Sequence, residues 1–143
     1  MRLLLTIFAL SVALVVGLPN QSALAHARLE QASPAPDAVL ALSPPEVRIW
    51  MTQELMLNGS GITVSDAAGL QVDSGDAHVD QTDPDRKQLV VTLPPLGAGT
   101  YTVTYTTVSA EDGDTFTDAF SFMVSPDAPA AANPCSVRAH LGV

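Results

Sequence analysis

The chain is poor in cysteine and in basic side chains, and both shortages limit what it can be. It has 143 residues and one cysteine, Cys135, so no intrachain disulfide can form and apolar burial must hold the core. Six Lys and Arg residues stand against fifteen Asp and Glu residues, which gives a formal net charge of −9. Such a surface repels nucleic acid phosphates and anionic membranes, and it attracts cations. We therefore expect no nucleic-acid partner.

Motifs of the common enzyme classes are also missing. The sequence has no Gly-x-Ser-x-Gly elbow, no Walker loop, no His-Glu-x-x-His pair and no zinc-type cysteine pair. These absences predict a protein that is not an enzyme.

The only long apolar run lies at the N-terminus. It extends from Leu3 to Leu18 after Arg2, and Ala23-Leu24-Ala25 forms a small-x-small cleavage signal behind it. The run of about 16 residues is shorter than the roughly 20 that a membrane span needs. We predict that residues 1–25 are a removed signal peptide, that the protein is periplasmic or secreted, and that it has no membrane insertion. The alternative is a retained anchor helix.

Cleavage after Ala25 would make His26 the first residue. An N-terminal histidine has two nitrogen donors, the α-amine and the imidazole, close enough to chelate one metal ion. Removing 25 of the 143 residues leaves 118, the size of one domain, with five basic side chains against fifteen acidic ones.

Most of the mature chain has the pattern of short β-strands. β-Branched and aromatic residues with partial alternation occupy five segments, and Pro, Gly and Asn-Gly or Asp-Gly turn signals separate them. These segments are 47–51, 61–65, 88–93, 100–108 and 116–124. The pattern predicts an all-β protein, an antiparallel β-sandwich. We expect Tyr101, Val103 and Tyr105 to face the core, and Met51 and Met123 to lie in it.

Two segments differ from this pattern. Residues 73–86 carry five aspartates, which predicts a solvated acidic loop; a calcium site is conceivable there, although the spacing does not match an EF-hand loop. Residues 126–143 are rich in Ala and Pro and lack periodicity, so we expect a flexible tail. The tail contains Cys135 and His140.

An ordered set of short sequences resembles the CopC-type copper-resistance domain. These are HARL (26–29), SPAPDAVL (33–40), PEVRIW (45–50), ITVSDAAG (62–69), LPPL (93–96), GTYTV (99–103), VSA (108–110) and FSFMV (120–124). The resemblance covers residues 26–125. It implies an exported immunoglobulin-like sandwich with Greek-key topology and about seven strands, which binds Cu(II) through its N-terminal histidine and a later Asp-Gly-His element.

In this chain the later element is Asp112-Gly113-Asp114. Asp112 matches the aspartate of the family, whereas Asp114 stands where the family has histidine. Cu(II) prefers tetragonal nitrogen and oxygen ligands, so the two nitrogens of His26 with the two carboxylates fit its preference, with weaker binding than an added imidazole would give. Asp112-Gly113 is also an ordinary hairpin turn signal. His78 is a further candidate that could replace the missing imidazole.

These observations predict an exported protein that sequesters or hands on Cu(II) in copper resistance or homeostasis. We expect a monomer, with a membrane copper-transport protein as a partner. One alternative is a CopC-like sandwich that has lost strong copper binding and acts as a structural or interaction module. Another is a copper mono-oxygenase, which would need a second histidine from His78 or His140. The methionines are scattered, so a Cu(I) site is not supported.

Overall fold

The computed structural model describes residues 27–128, and all regular structure in this range is β-strand. The strands are β1 (Leu29–Ser33), β2 (Val39–Leu40), β3 (Glu46–Met51), β4 (Gly61–Ser65), β5 (His78–Val79), β6 (Gln88–Thr92), β7 (Gly99–Val108) and β8 (Thr115–Val124). The predicted all-β class and the five predicted strand segments are confirmed. Within residues 27–128 the structure has no helix that is long and apolar enough to cross a membrane.

Two four-stranded sheets form the sandwich. The first has the order β1-β3-β6-β5 and is antiparallel throughout, while the second has the order β2-β8-β7-β4. β7 and β8 make the longest ladder, from Gly99 opposite Val124 to Val108 opposite Thr115. The second sheet is mixed, because β2 runs parallel to β8. The eight strands agree with the expectation of an antiparallel sandwich of about seven, and β2 with β8 is the one parallel pair among residues 27–128.

The core lies between the two sheets and follows the period of two that strands impose. Tyr101, Val103 and Tyr105 are 7%, 0% and 2% exposed, as predicted for one face of β7. Met51 is fully buried, but Met123 is 41% exposed, so its predicted core position is wrong. Side chains along a strand alternate between its two faces. Phe122 and Val124, on either side of Met123, face the interior, so Met123 faces outward.

The segment expected to be a solvated loop contains a short strand. β5 pairs His78 with Val90 and Val79 with Leu89, and Val79 is 2% exposed. Aspartate carboxylates in this segment accept hydrogen bonds from backbone N–H groups. The Asp73 carboxylate, for example, accepts the N–H groups of Val64 and Gly75 at 2.7 and 2.9 Å. The acidic segment is therefore an ordered edge of the first sheet and not a simple loop.

Candidate metal site

The turn between β7 and β8 brings the two predicted aspartates together. The N–H of Gly113 donates to the carbonyl of Ser109, and the N–H of Ser109 donates to the carbonyl of Asp114, both at 3.0 Å. Gly113 has φ +76°, a left-handed conformation that glycine adopts without steric cost. The carboxylate of Asp112 accepts the N–H of Asp114 at 3.1 Å. Asp112 and Asp114 therefore share one tight, exposed turn at one end of the sandwich.

The chain that enters β1 lies near the same end. Ala27 is 2% exposed, and its carbonyl accepts a hydrogen bond of 3.3 Å from the hydroxyl of Thr107, near the end of β7. Arg28 and Thr52 exchange two bonds: the N–H of Arg28 donates to Thr52 Oγ1 at 3.0 Å, and the N–H of Thr52 donates to the carbonyl of Arg28 at 2.9 Å. His26, the predicted nitrogen ligand, lies outside the described residues.

The connection that follows β3 joins these two parts. The N–H of Ala110 donates to the carbonyl of Glu54 at 3.0 Å, and Leu55 forms an isolated bridge with Ser109. Thr52, two residues before Glu54, holds Arg28 as described above. Residues 52–55 therefore contact both the entry to β1 and the turn that carries the aspartates.

Gln53 in this connection has an unusual oxygen. Its Oε1 is buried and has no hydrogen-bond partner. A buried acceptor without a donor costs about 1 to 3 kcal/mol, so native proteins seldom keep one without a purpose. An amide oxygen is also a hard donor that metal ions accept. Sequence reasoning did not single out Gln53, because no motif or spacing distinguishes it from an ordinary polar residue.

His78 lies elsewhere. β5 is the edge strand of the first sheet, and β1 forms its opposite edge, with β3 and β6 between them. The ring nitrogen Nδ1 is 2.7 Å from the carbonyl oxygen of Asp76 in the same segment. The structure thus places His78 and the strand that follows His26 on opposite edges of one sheet. His140 lies outside the described residues.

The charge around the turn favours a cation. Glu111, Asp112 and Asp114 lie on it with no basic residue between them. The neighbouring Glu54 carboxylate forms an ion pair with Arg86. Within residues 27–128, no group of three or more His, Cys, Asp or Glu side chains is arranged to hold a metal. The described chain thus offers the two aspartates of the turn.

A family model for the CopC domain matches residues 29–125. The chain belongs to the CopC family. The match begins at the first residue of β1 and ends one residue after β8, so it includes both sheets of this CopC domain and the turn that carries Asp112 and Asp114.

Solved structures agree with this CopC assignment. The structure of CopC from Methylosinus trichosporium OB3b is 25% identical, covers 73% of this chain and 98% of its own, and has a TM-score of 0.61. PcoC, a methionine-rich copper resistance protein from Escherichia coli, is 27% identical, covers 71% of this chain and 100% of its own, and has a TM-score of 0.55. A search of curated proteins gave no match.

Proposed function

We propose that this CopC protein binds Cu(II) outside the cytoplasm and sequesters it or hands it on in copper resistance or homeostasis. The α-amine and imidazole of His26 would supply two nitrogens, and Asp112 and Asp114 would supply carboxylate oxygens. The observation that carries the proposal is the hydrogen bond from Thr107 to Ala27. It ties the residue next to His26 to a strand position two residues before the turn segment 109–114 begins.

The donor set suits Cu(II) and changes with pH. Two nitrogens and two oxygens satisfy a tetragonal site, and the buried oxygen of Gln53 is a candidate for a further position. An α-amine has a pKa near 8 and a histidine one near 6.5, so both nitrogens must lose a proton before they bind the metal. Copper affinity should therefore fall as the pH drops from about 8 to about 6.

The wider proposal follows the domain organisation. Residues 1–25 would be a signal peptide, residues 26–125 the binding domain and residues 126–143 a flexible tail. The protein would be a monomeric binding protein in the periplasm or outside the cell, not an enzyme, and a membrane copper-transport protein would exchange copper with it. Its acidic surface would favour the approach of a cation over that of nucleic acid.

Blocking the α-amine of His26 tests the proposal. We compare the chain that starts at His26 with the same chain acetylated at that α-amine, and we titrate both with Cu(II) against a competing chelator. Acetylation turns the α-amine of His26 into an amide and breaks the chelate, without adding a new amine. We expect at least a tenfold loss of affinity and a changed electron paramagnetic resonance spectrum. Equal affinity and equal spectra would exclude an amine-anchored site.

The second candidate function is a sandwich that has lost strong copper binding and serves as an interaction module. It is favoured by Asp114 at the position where the family pattern has histidine, and by the outer face of the second sheet, which carries no charge. That face consists of Val39, Gly61, Thr63, Ser65, Thr100, Thr102, Thr104, Thr106, Val108, Thr115, Thr117, Ala119, Ser121 and Met123. Absence of Cu(II) binding by the chain that starts at His26 would support this function over the first.

A further inference from the structure

Thr107 is a polar residue in an apolar place. It lies on the inward face of β7, in line with Tyr101, Val103 and Tyr105, and its exposed fraction is 0%. A buried hydroxyl is costly unless it is hydrogen-bonded, and valine would fill the same volume without that cost. The single hydroxyl proton of Thr107 is shared between two carbonyl oxygens, that of Ala27, 80 positions away, at 3.3 Å, and that of Phe116 on the paired strand at 3.4 Å.

Thr52 makes the matching contact from the other sheet. Thr52 directly follows β3. Its two hydrogen bonds with Arg28 resemble the pair that joins two opposite residues of an antiparallel sheet, except that one acceptor is the side-chain oxygen of Thr52. Thr107 belongs to the second sheet and Thr52 to the end of the first. Residues 27 and 28 are thus held between the two sheets by three hydrogen bonds, and the methyl group of Ala27 is buried as well.

The hydrogen bonds of Ala27 and Arg28 fix the point at which residue 26 is attached to the domain. Consecutive Cα atoms are about 3.8 Å apart, so the Cα of residue 26 is restricted to a small sphere around that of Ala27. A chelating residue at a loose chain end would lose conformational entropy on binding, whereas one attached to a fixed peptide loses less. We infer that Thr52 and Thr107 are positioning residues that hold residues 27 and 28 for metal binding at His26. This inference rests on the proposed function.

Four variants test the inference in the chain that starts at His26. T107V removes the hydroxyl and keeps the shape, and T107S restores the hydroxyl. T52V removes the acceptor for the Arg28 N–H. T106V is the matched control, because Thr106 is the neighbouring threonine on the outer face and its hydroxyl pairs only with Thr117, at 3.0 Å.

Copper affinity and the electron paramagnetic resonance spectrum are measured well below the melting temperature of every variant. We expect T107V and T52V to bind Cu(II) about tenfold more weakly and to give a mixture of spectral species. T107S and T106V should keep the affinity and the single spectrum of the unsubstituted chain. A lower melting temperature alone cannot produce this difference. Wild-type affinity and spectrum in T107V, or equal losses in T107V and T106V, would overturn the inference.

Amide hydrogen exchange in the metal-free protein separates this inference from the proposed function. The amides of Arg28 and Thr52 should exchange at least tenfold faster in T107V than in T106V, while the amide of Val103 in mid-strand stays protected. If the unsubstituted chain binds no copper, the proposed function fails, and the exchange rates still decide whether Thr107 holds residues 27 and 28. Unchanged exchange in T107V would show that it does not.

Discussion

Arg48 on β3 reaches across β6 to Asp80, which follows β5, and its Nη1 lies 2.6 Å from Asp80 Oδ2. β3 and β5 are not neighbours, and the strand between them contributes Val90, which is only 4% exposed although it lies on the outer face. The guanidinium also donates to Glu46 at 3.0 Å and to Gln88 at 2.9 Å. One cation thus connects three strands of the first sheet.

The stability that Asp80 provides should disappear in acid. The hydroxyl of Thr82 and then the guanidinium of Arg48 hold the pKa of Asp80 well below its usual range, because both favour the charged carboxylate. A lowered folded-state pKa stabilises the fold above the unfolded value of about 3.9, and the contribution is lost as the pH falls below it. Urea unfolding should show D80N less stable than the unsubstituted chain from pH 7 to about pH 5. The gap should begin to close below about pH 4 and keep narrowing as the pH falls towards the lowered folded-state pKa, and a gap of constant size would contradict the lowered pKa.

Removing one carboxylate at a time from the turn should show whether Asp112 and Asp114 are metal ligands. D112N and D114N remove a carboxylate each, and an asparagine at 112 keeps an oxygen that can accept the Asp114 N–H. We expect each to weaken Cu(II) binding about tenfold, or about 1.4 kcal/mol. D85N is the matched control, because it makes the same charge change in the acidic segment beyond β5 and should change affinity less than twofold. Equal losses in all three variants would indicate only a general effect of charge.

Replacement of Asp114 by histidine should have the opposite effect. D114H puts an imidazole at the position where the resemblance to the CopC family implies one, which would give Cu(II) a third nitrogen. We expect at least a tenfold gain in affinity and a stronger dependence on pH between 6 and 7, since the new ligand must lose a proton to bind. Competition titrations at two pH values measure both. An unchanged affinity would show that position 114 does not reach the metal.

Replacement of Gln53 can be followed by two quantities, the free energy of unfolding and the Cu(II) affinity, which should change in opposite directions if the Gln53 oxygen binds the metal. Q53L removes a buried oxygen that has no partner, so the free energy of unfolding of the metal-free protein should rise by about 1 kcal/mol. If the oxygen serves the metal, Cu(II) affinity should fall in the same variant. Chemical denaturation and copper titration measure the two effects. A gain in stability with full copper affinity would show that Gln53 is not a ligand.

Any side chain at Gly59, in the connection between β3 and β4, should lower the stability of the fold. Its φ is +91°, and an added Cβ would lie 3.0 Å from Cγ2 of Val108. G59A should lower the free energy of unfolding by about 1 to 2 kcal/mol, because an L-residue is strained in this conformation. G97A is the control, since nothing lies within 4 Å of the added atom and no positive φ occurs there. A destabilisation by G97A as large as that by G59A would contradict this reason.

The sequence predicted the fold where strands are long and alternate. β3, β4, β6, β7 and β8 were predicted because their buried residues alternate or form apolar runs. β1 escaped prediction because its register shifts between Leu29 and Gln31, so its exposed residues do not alternate, and β2 and β5 have only two residues each.

The site was predictable only where residues are close in sequence. Asp112 and Asp114 are two positions apart around a glycine, and that spacing already indicates a shared turn. The connection 52–55 joins this turn to the entry of β1 through backbone hydrogen bonds between residues more than 20 positions apart. Such bonds leave no periodic signal, and therefore neither the buried oxygen of Gln53 nor the bonds between Thr52 and Arg28 were visible before the fold was known. The ligation by His26 remains a prediction.

The parallel pairing of β2 with β8 has a consequence for how the protein is made. Val39 and Leu40 have their sheet partners at Met123 and Val124, more than 80 residues later. During synthesis, the second sheet cannot be completed until that last strand has left the ribosome. Pairings between residues so distant in the chain form slowly. β2 of the nascent chain therefore stays without its sheet partner until translation is nearly finished.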